Sequence, residues 1–218
     1  MVNRLLDLAL PASCAGCRRE GSAVCDACRP ALMVRLNRPA GTPLGLPSDV
    51  PAPLLQLEWC APYTGTVRHA LRDLKYGGER RLLGPLAEAM AARWREAGAG
   101  GDLLVPVPVH ASRARERGFD QAELLAEVVA RDLGLPMLAA VERGRATVAQ
   151  FHLDRAARSV NVRGAFRVRP VAAGQVVGRW AILIDDVVTT GSTLAECATA
   201  LLAAGAAGVS AITVARER

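Results

Sequence analysis

Lysine is almost absent from this 218-residue chain: Lys75 is the only lysine among 27 basic residues, and all the others are arginine. A Walker A loop requires Gly-Lys-Ser/Thr, but Lys75 is followed by Tyr76, so the sequence excludes a P-loop of that type. The net charge of +6 and the pI near 9.4 permit non-specific attraction to phosphate without requiring a nucleic-acid partner.

Long apolar runs are also missing. No run approaches the roughly 20 residues of a membrane-spanning helix, and Asp7 interrupts the short apolar stretch between Leu5 and Leu10. We therefore expect no membrane insertion and a cytoplasmic location. The length suits one α/β domain of ordinary size with a small appendage.

Four of the six cysteines form two C-x2-C pairs near the amino terminus: Cys14, Cys17, Cys25 and Cys28. Four thiolates in two tight pairs can complete a tetrahedral Zn2+ site, which is the prediction we favour. Disulfides and an iron–sulfur cluster remain alternatives, although a cytoplasmic location disfavours disulfides. So short a segment cannot bury its own core, and metal binding would supply its folding free energy, on the order of 10–16 kcal/mol.

Composition divides the chain into three parts. Residues 1–38 carry the paired cysteines and form the predicted zinc-binding module. Residues 39–53 are rich in proline and glycine and have almost no periodicity, which is typical of a semi-rigid linker. Residues 54–218 alternate short apolar runs with helical periodicity, the pattern of an α/β domain with a parallel sheet.

The stretch from Trp180 to Thr193 is the most informative one. Trp180 to Ile184 is apolar and ends at Asp185 and Asp186, which indicates a buried parallel strand whose carboxyl end is marked by the two acids. From Thr193 the apolar residues follow the spacing of one helix face until Gly205. The sequence therefore predicts strand, loop and helix in succession.

Ligands of open α/β sheets bind where the carboxyl end of a strand meets the next helix. Hydroxyls, backbone N–H groups and a glycine at a helix N-terminus suit a phosphate, whereas adjacent carboxylates suit hydroxyls or a hard cation. A ribose 5-phosphate carries both a phosphate and a diol. A haloacid-dehalogenase-type loop is excluded because it needs an acid where Val187 stands.

A second loop follows the predicted strand Leu103–Val105, because Pro106 and Pro108 cannot donate the backbone hydrogen bonds that a central strand needs. Arg113, Arg115 and Arg117 come next, and guanidinium groups suit phosphate oxygens. A solvated basic turn is the alternative interpretation. Asp120 is predicted to cap the following helix, and the irregular segment between Arg143 and Gly164 is long enough to be functional or disordered.

Four apolar residues, Asp-Asp-Val, two further residues and Thr-Gly-x-Thr resemble the 5-phosphoribosyl-1-pyrophosphate (PRPP) loop of the type I phosphoribosyltransferases. That resemblance implies that Asp185 and Asp186 hold the ribose hydroxyls, and the same carboxylates are possible ligands of Mg2+. It implies that Arg113 and Arg117 bind pyrophosphate and that the irregular segment closes as a lid. The residues implied to surround the 5-phosphate are Val187, Val188, Thr189, Thr190, Gly191, Ser192 and Thr193.

Further motifs extend the resemblance over nearly the whole chain. Together with the PRPP loop, they resemble the ComF (ComFC) competence proteins, which are linked to natural transformation and DNA uptake. This implies a type I phosphoribosyltransferase-like α/β fold, with single-stranded DNA and competence-machinery proteins as possible partners. The motifs are the four cysteines, Tyr63-x-Gly65, Leu74-Lys75-Tyr76, Pro106-Val-Pro108, Arg117 to Gln121, Gln150 and Arg158-x-x-Asn161-Val162.

Two functions follow from the sequence. The first is a Mg2+-dependent transferase that moves the phosphoribosyl group of PRPP to an acceptor that the sequence does not identify. The second is a non-catalytic adaptor for DNA uptake that keeps the phosphoribosyl site as a nucleotide sensor or scaffold, because a fold can be used without its chemistry.

Overall fold

The computed structural model describes residues 11–39, 50–98, 100–109, 115, 118–144 and 164–217. The predictions for Arg113, Arg117, most of the linker and the lid segment 145–163 fall outside these residues. Residues 11–39, which contain the paired cysteines, are called the cysteine knuckle below.

A parallel four-stranded sheet forms the centre of the molecule, in the order β1-β6-β5-β2. A separate antiparallel pair joins β3 to β4. The strands are β1 Leu57–Pro62, β2 Leu103–Pro106, β3 Val141–Arg143, β4 Phe166–Val168, β5 Trp180–Val188 and β6 Gly208–Arg216.

The described residues contain five α-helices: α1 Gly65–Gly77, α2 Leu83–Ala97, α3 Gln121–Leu133, the single turn α4 Ala173–Val176, and α5 Ser192–Ala203. As predicted, the Asp120 carboxylate caps α3 and accepts hydrogen bonds from the N–H groups of Ala122 and Glu123. Left-handed glycines such as Gly78 and Gly134 follow the ends of α1 and α3.

Alternate side chains of β5 are buried in two different hydrophobic cores, one on each face of the sheet. Ile182 and Ile184 pack on the side that holds α1, α2 and α3, whereas Ala181 and Leu183 pack on the side of α5. All four residues are fully buried because helices cover both faces of the sheet. The fold is therefore a three-layer α/β arrangement, which confirms the predicted fold class.

Two strand predictions need correction. β5 does not end before the acids, because Asp185 still pairs with Thr213 of β6 and the ladder continues to Val188. The apolar run from Met137 to Val141 also predicts a strand, but the structure divides it: Met137 forms one bridge with Leu104 of β2, and Val141 begins β3. Apolar periodicity marked the region correctly but could not indicate which sheet each residue would join.

Candidate metal and ligand sites

The four paired cysteines lie together in the cysteine knuckle, and all four sulfur atoms are within 4.8 Å of one another. The Sγ atom of Cys25 lies 3.6 Å from that of Cys14 and 3.7 Å from that of Cys17. A tetrahedral ion with metal–sulfur bonds of about 2.3 Å has sulfur–sulfur edges of about 3.8 Å. The cysteines are free thiols rather than disulfides and are placed to bind one metal ion such as zinc.

The surroundings of these thiols favour a bound cation. Burial opposes ionisation of Cys14, but N–H groups of Cys25, Cys17 and Gly16 stabilise its thiolate and lower its pKa from 9.0 to about 6. Hydrogen bonding with the Cys25 thiol, together with burial, raises the pKa of Cys28 to about 12. The surroundings therefore favour ionisation of one thiol over that of its neighbour, and a bound metal ion would displace the protons that remain.

The cysteine knuckle packs directly against α1. A Cβ atom on Gly16 would come within 2.7 Å of the Thr66 hydroxyl at the start of the helix, so only glycine fits this contact. Farther along α1, Arg18 forms an ion pair of 2.7 Å with Asp73. The knuckle thus contacts the helix at two places that are two turns apart.

A buried charge cluster joins the end of the knuckle to the sheet. Glu58 of β1 accepts hydrogen bonds from Arg93 at 2.6 and 2.9 Å and lies 3.5 Å from Arg35, and all three residues are at most 1% exposed. Arg93 also donates to the carbonyl oxygens of Arg35, Arg38 and Pro39. Sequence reasoning missed this cluster, although Glu58 interrupts an apolar strand and Arg93 precedes the buried Trp94.

Asp185 and Asp186 lie near the carboxyl end of β5, followed by the turn Thr189–Gly191 and then α5. The Asp185 carboxylate accepts a hydrogen bond from the N–H of Asp186 at 2.8 Å. Because successive side chains of a strand point to opposite faces, the two carboxylates cannot act as one bidentate pair. They flank the strand end instead, with the helix N-terminus a few residues beyond.

Lys75 forms an ion pair with Asp186, and both side chains are largely buried, at 15% and 8% exposure. Burial and the nearby charge of Asp186 raise the pKa of Asp185 well above its usual 3.8. Sequence reasoning gave Lys75 no role of its own. The feature that could have indicated a role is its position on α1, one turn after the buried Leu71. A charged side chain on that buried face needs a partner of opposite charge.

The turn between β5 and α5 is held by its own hydroxyls. Thr190 Oγ1 lies 2.9 Å from Ser192 Oγ and accepts a hydrogen bond from the Ser192 N–H at 3.3 Å. Gly191 has φ +79°, and a Cβ there would meet Pro51 Cγ at 2.4 Å. A side chain at position 191 would therefore collide with Pro51.

The loop after β2 is attached to α3 through Asp120. Its carboxylate accepts a hydrogen bond from the N–H of Val109 at 3.1 Å in addition to capping the helix. Asp120 therefore fixes both ends of the segment that carries Arg113 and Arg117, whose own positions lie outside the described residues.

Within the described ranges, the four cysteines form the only group of three or more residues that could hold a metal ion. Asp185 and Asp186 are two carboxylates, one of which is engaged by Lys75. A Mg2+ ion at this end of β5 would need further oxygen ligands from a bound molecule.

Comparison with known proteins gives the family. The DNA utilization protein YhgH of Salmonella typhi is 33% identical over 221 residues, covering 93% of this chain and 96% of that protein. Competence protein F of Haemophilus influenzae is 38% identical over 96 residues, covering 44% of this chain and 42% of that protein. The chain belongs to this family of ComF-type DNA utilization and competence proteins. No family model matches the chain.

Among solved structures, the glutamine phosphoribosylpyrophosphate amidotransferase of B. subtilis, complexed with ADP and GMP, matches with a TM-score of 0.39 and 23% identity. The match covers 58% of this chain, which spans only a quarter of that protein.

None of the helices in the described ranges combines the length and apolar character that crossing a bilayer requires.

Proposed function

We propose that this chain is a phosphoribosyltransferase-type protein that binds PRPP at the carboxyl end of β5 and serves the use of imported DNA. One observation carries the proposal: Asp185 and Asp186 lie beside the N-terminus of α5, a twelve-residue helix, at the ligand-binding edge of a parallel sheet. A helix N-terminus favours a phosphate, and carboxylates favour the hydroxyls of a ribose.

Each group has a task that fits its environment. The N–H groups at the start of α5 and the hydroxyls of Thr189, Thr190, Ser192 and Thr193 would bind the 5-phosphate. No acidic residue lies in the first turn of α5 to repel it. Asp186 would accept a hydrogen bond from a ribose hydroxyl while Lys75 limits the repulsion between the two carboxylates.

A Mg2+ ion would accompany the pyrophosphate group of PRPP and neutralise its charge. Asp185 or Asp186 would supply one or two of its ligands. Arg113 and Arg117 would contact the pyrophosphate oxygens, since they belong to the segment between β2 and α3 whose two ends Asp120 joins. The zinc ion proposed for the cysteine knuckle would be structural, because four thiolates leave no open position for a substrate.

The role in DNA use rests on the family. The relative from Salmonella typhi is named a DNA utilization protein and that from Haemophilus influenzae a competence protein. We propose that residues 1–38 act as a docking module, residues 39–53 as a linker and residues 54–218 as the phosphoribosyltransferase domain.

A non-catalytic adaptor is the second candidate, and the Lys75–Asp186 ion pair favours it. The carboxylate that would take a ribose hydroxyl already has a cationic partner. Release of pyrophosphate from PRPP with a panel of bases and amines distinguishes the two functions, because only the transferase releases it.

Calorimetric titration with PRPP and Mg2+ tests the binding site. Asp185→Asn combined with Asp186→Asn keeps the shape and should weaken PRPP binding about tenfold or more, since hydrogen bonds to charged groups contribute about 1.5–3 kcal/mol each. Asp132→Asn, a change of the same kind at an exposed acid, should bind normally. Absence of binding by the unmodified protein, or equal binding by the double variant, would contradict the proposal.

A further inference from the structure

An open cleft of about 610 Å³ lies beside the PRPP site and has no part in the function proposed above. Its lining residues are Tyr63, Arg68, Arg72, Tyr76 and Glu217. Three of them follow one another at four-residue intervals along α1, so their side chains lie on one face of that helix. The cleft is thus built from α1 and from the residues that follow β1 and β6.

The two arginines in this cleft are available for an anion. Arg68 and Arg72 are exposed, and neither forms an ion pair with an acid in the described ranges. Asp73, the nearest acid along the helix, is engaged by Arg18 at 2.7 Å. Two guanidinium groups one helical turn apart can bind the oxygens of one phosphate from two directions.

The other lining groups suit a planar ring. Tyr63 and Tyr76 bring aromatic rings to the same cleft, and Tyr76 is 72% exposed. Aromatic side chains stack on nucleobases, and the carboxylate of Glu217 can accept a hydrogen bond from an exocyclic amine. The combination of phosphate and ring contacts is the chemistry of a nucleotide.

The backbone places this cleft next to the acids of β5. The N–H of Glu217 donates to the carbonyl of Val188 at 2.9 Å, and the N–H of Tyr63 donates to the carbonyl of Arg216 at 2.7 Å. The ends of β5, β6 and β1 are therefore adjacent in that order. Lys75, which pairs with Asp186, directly precedes Tyr76 on α1.

We propose that this cleft is a second binding site, which takes a nucleotide through its phosphate and its base. The phosphate binds Arg68 and Arg72, and the base lies against Tyr63 and Tyr76. The nucleotide is either a free mononucleotide or one unit of a single strand, since both present the same phosphate and ring. This site differs from the PRPP site, because its groups come from α1, β1 and β6 rather than from β5 and α5.

Calorimetric titration of the full chain with AMP, adenosine, inorganic phosphate and a ten-residue oligodeoxyadenylate, whose bases carry the exocyclic amine, tests this assignment. AMP or the oligonucleotide should bind more tightly than adenosine and phosphate do, and whichever of the two binds more tightly identifies the source. Arg68→Gln with Arg72→Gln should weaken that binding about tenfold or more, because two charge-assisted contacts are lost. Arg131→Gln, at an exposed arginine on α3, should leave it unchanged.

Two further variants separate a nucleotide site from simple charge attraction. Tyr76→Leu should weaken binding of AMP more than that of inorganic phosphate, and Tyr76→Phe should restore it. The Asp185→Asn, Asp186→Asn double variant should still bind AMP, and the arginine double variant should still bind PRPP, so the two proposals can fail separately. Failure of both AMP and the oligonucleotide to bind, or equal binding by the arginine double variant, would overturn the assignment.

Discussion

The side chains that meet in the cysteine knuckle come from one short segment, whereas those that meet at the end of β5 come from distant parts of the chain. In the knuckle, all four clustered thiols come from a segment of fifteen residues, Cys14 to Cys28, so the spacing along the chain already defines the candidate metal site. At the end of β5, Asp186 pairs with Lys75, which lies more than a hundred residues earlier. The difference shows that local spacing can specify a metal site, whereas the charge balance of a ligand site depends on the tertiary fold.

The largest effect should come from removing the metal. Cys14→Ser with Cys25→Ser deletes two of the four ligands. The knuckle should then lose its order, because metal binding supplies a folding free energy on the order of 10–16 kcal/mol. Metal analysis should find about one zinc per chain in the unmodified protein and none in the variant.

Cys197→Ser, the same change at a buried cysteine outside the cluster, should keep the zinc. Hydrogen exchange over residues 11–39 reports the ordering directly. Slow exchange of those amides in metal-free protein would contradict the prediction.

A smaller effect is expected where the knuckle joins the sheet. Glu58→Gln leaves the buried Arg35 and Arg93 without their shared charge, and breaking such a buried pair costs about 3–5 kcal/mol of unfolding free energy. Denaturant unfolding measures this loss.

Glu142→Gln is the matched control, because its partner Arg167 is 72% exposed and such pairs contribute about 1 kcal/mol or less. Similar losses for the two variants would mean that the Glu58 cluster is no stronger than a surface pair.

The smallest effect concerns the acids of β5 and depends on pH. The pKa of Asp185 is raised in the folded protein, so the folded state binds more protons than the unfolded state over the range above the usual pKa of 3.8. Stability contributed by this group is therefore present below that pH and declines as the pH rises toward the folded pKa.

Asp185→Asn removes the ionisable group and should raise the unfolding free energy at neutral pH relative to the unmodified protein. The gain should shrink toward zero below about pH 4, where Asp185 is protonated in both the folded and the unfolded state. Unfolding at several pH values measures it, with Asp132→Asn as the exposed control. A gain that does not change with pH would show that Asp185 is not the source.

The parts that could be predicted from sequence are those with a repeating or local signal. The apolar runs predicted the positions of β2 and β5, and the Asp120 cap followed from its position before α3. The Glu58–Arg93 cluster and the Lys75–Asp186 pair could not be predicted, because a lone charge on an apolar face indicates that a partner exists without indicating which residue it is. The full extent of β5 was missed because acids are uncommon in buried strands.

The position of β6 has a consequence for synthesis. This strand is the last element described in the chain, yet it lies between β1 and β5 and is the only strand of the described residues that pairs with β1. While the ribosome is still translating the preceding residues, β1 lacks this strand partner, and its backbone N–H and C=O groups on that side are unpaired. Unpaired strand edges are prone to aggregation, so the nascent chain carries this hazard until residue 216 has emerged.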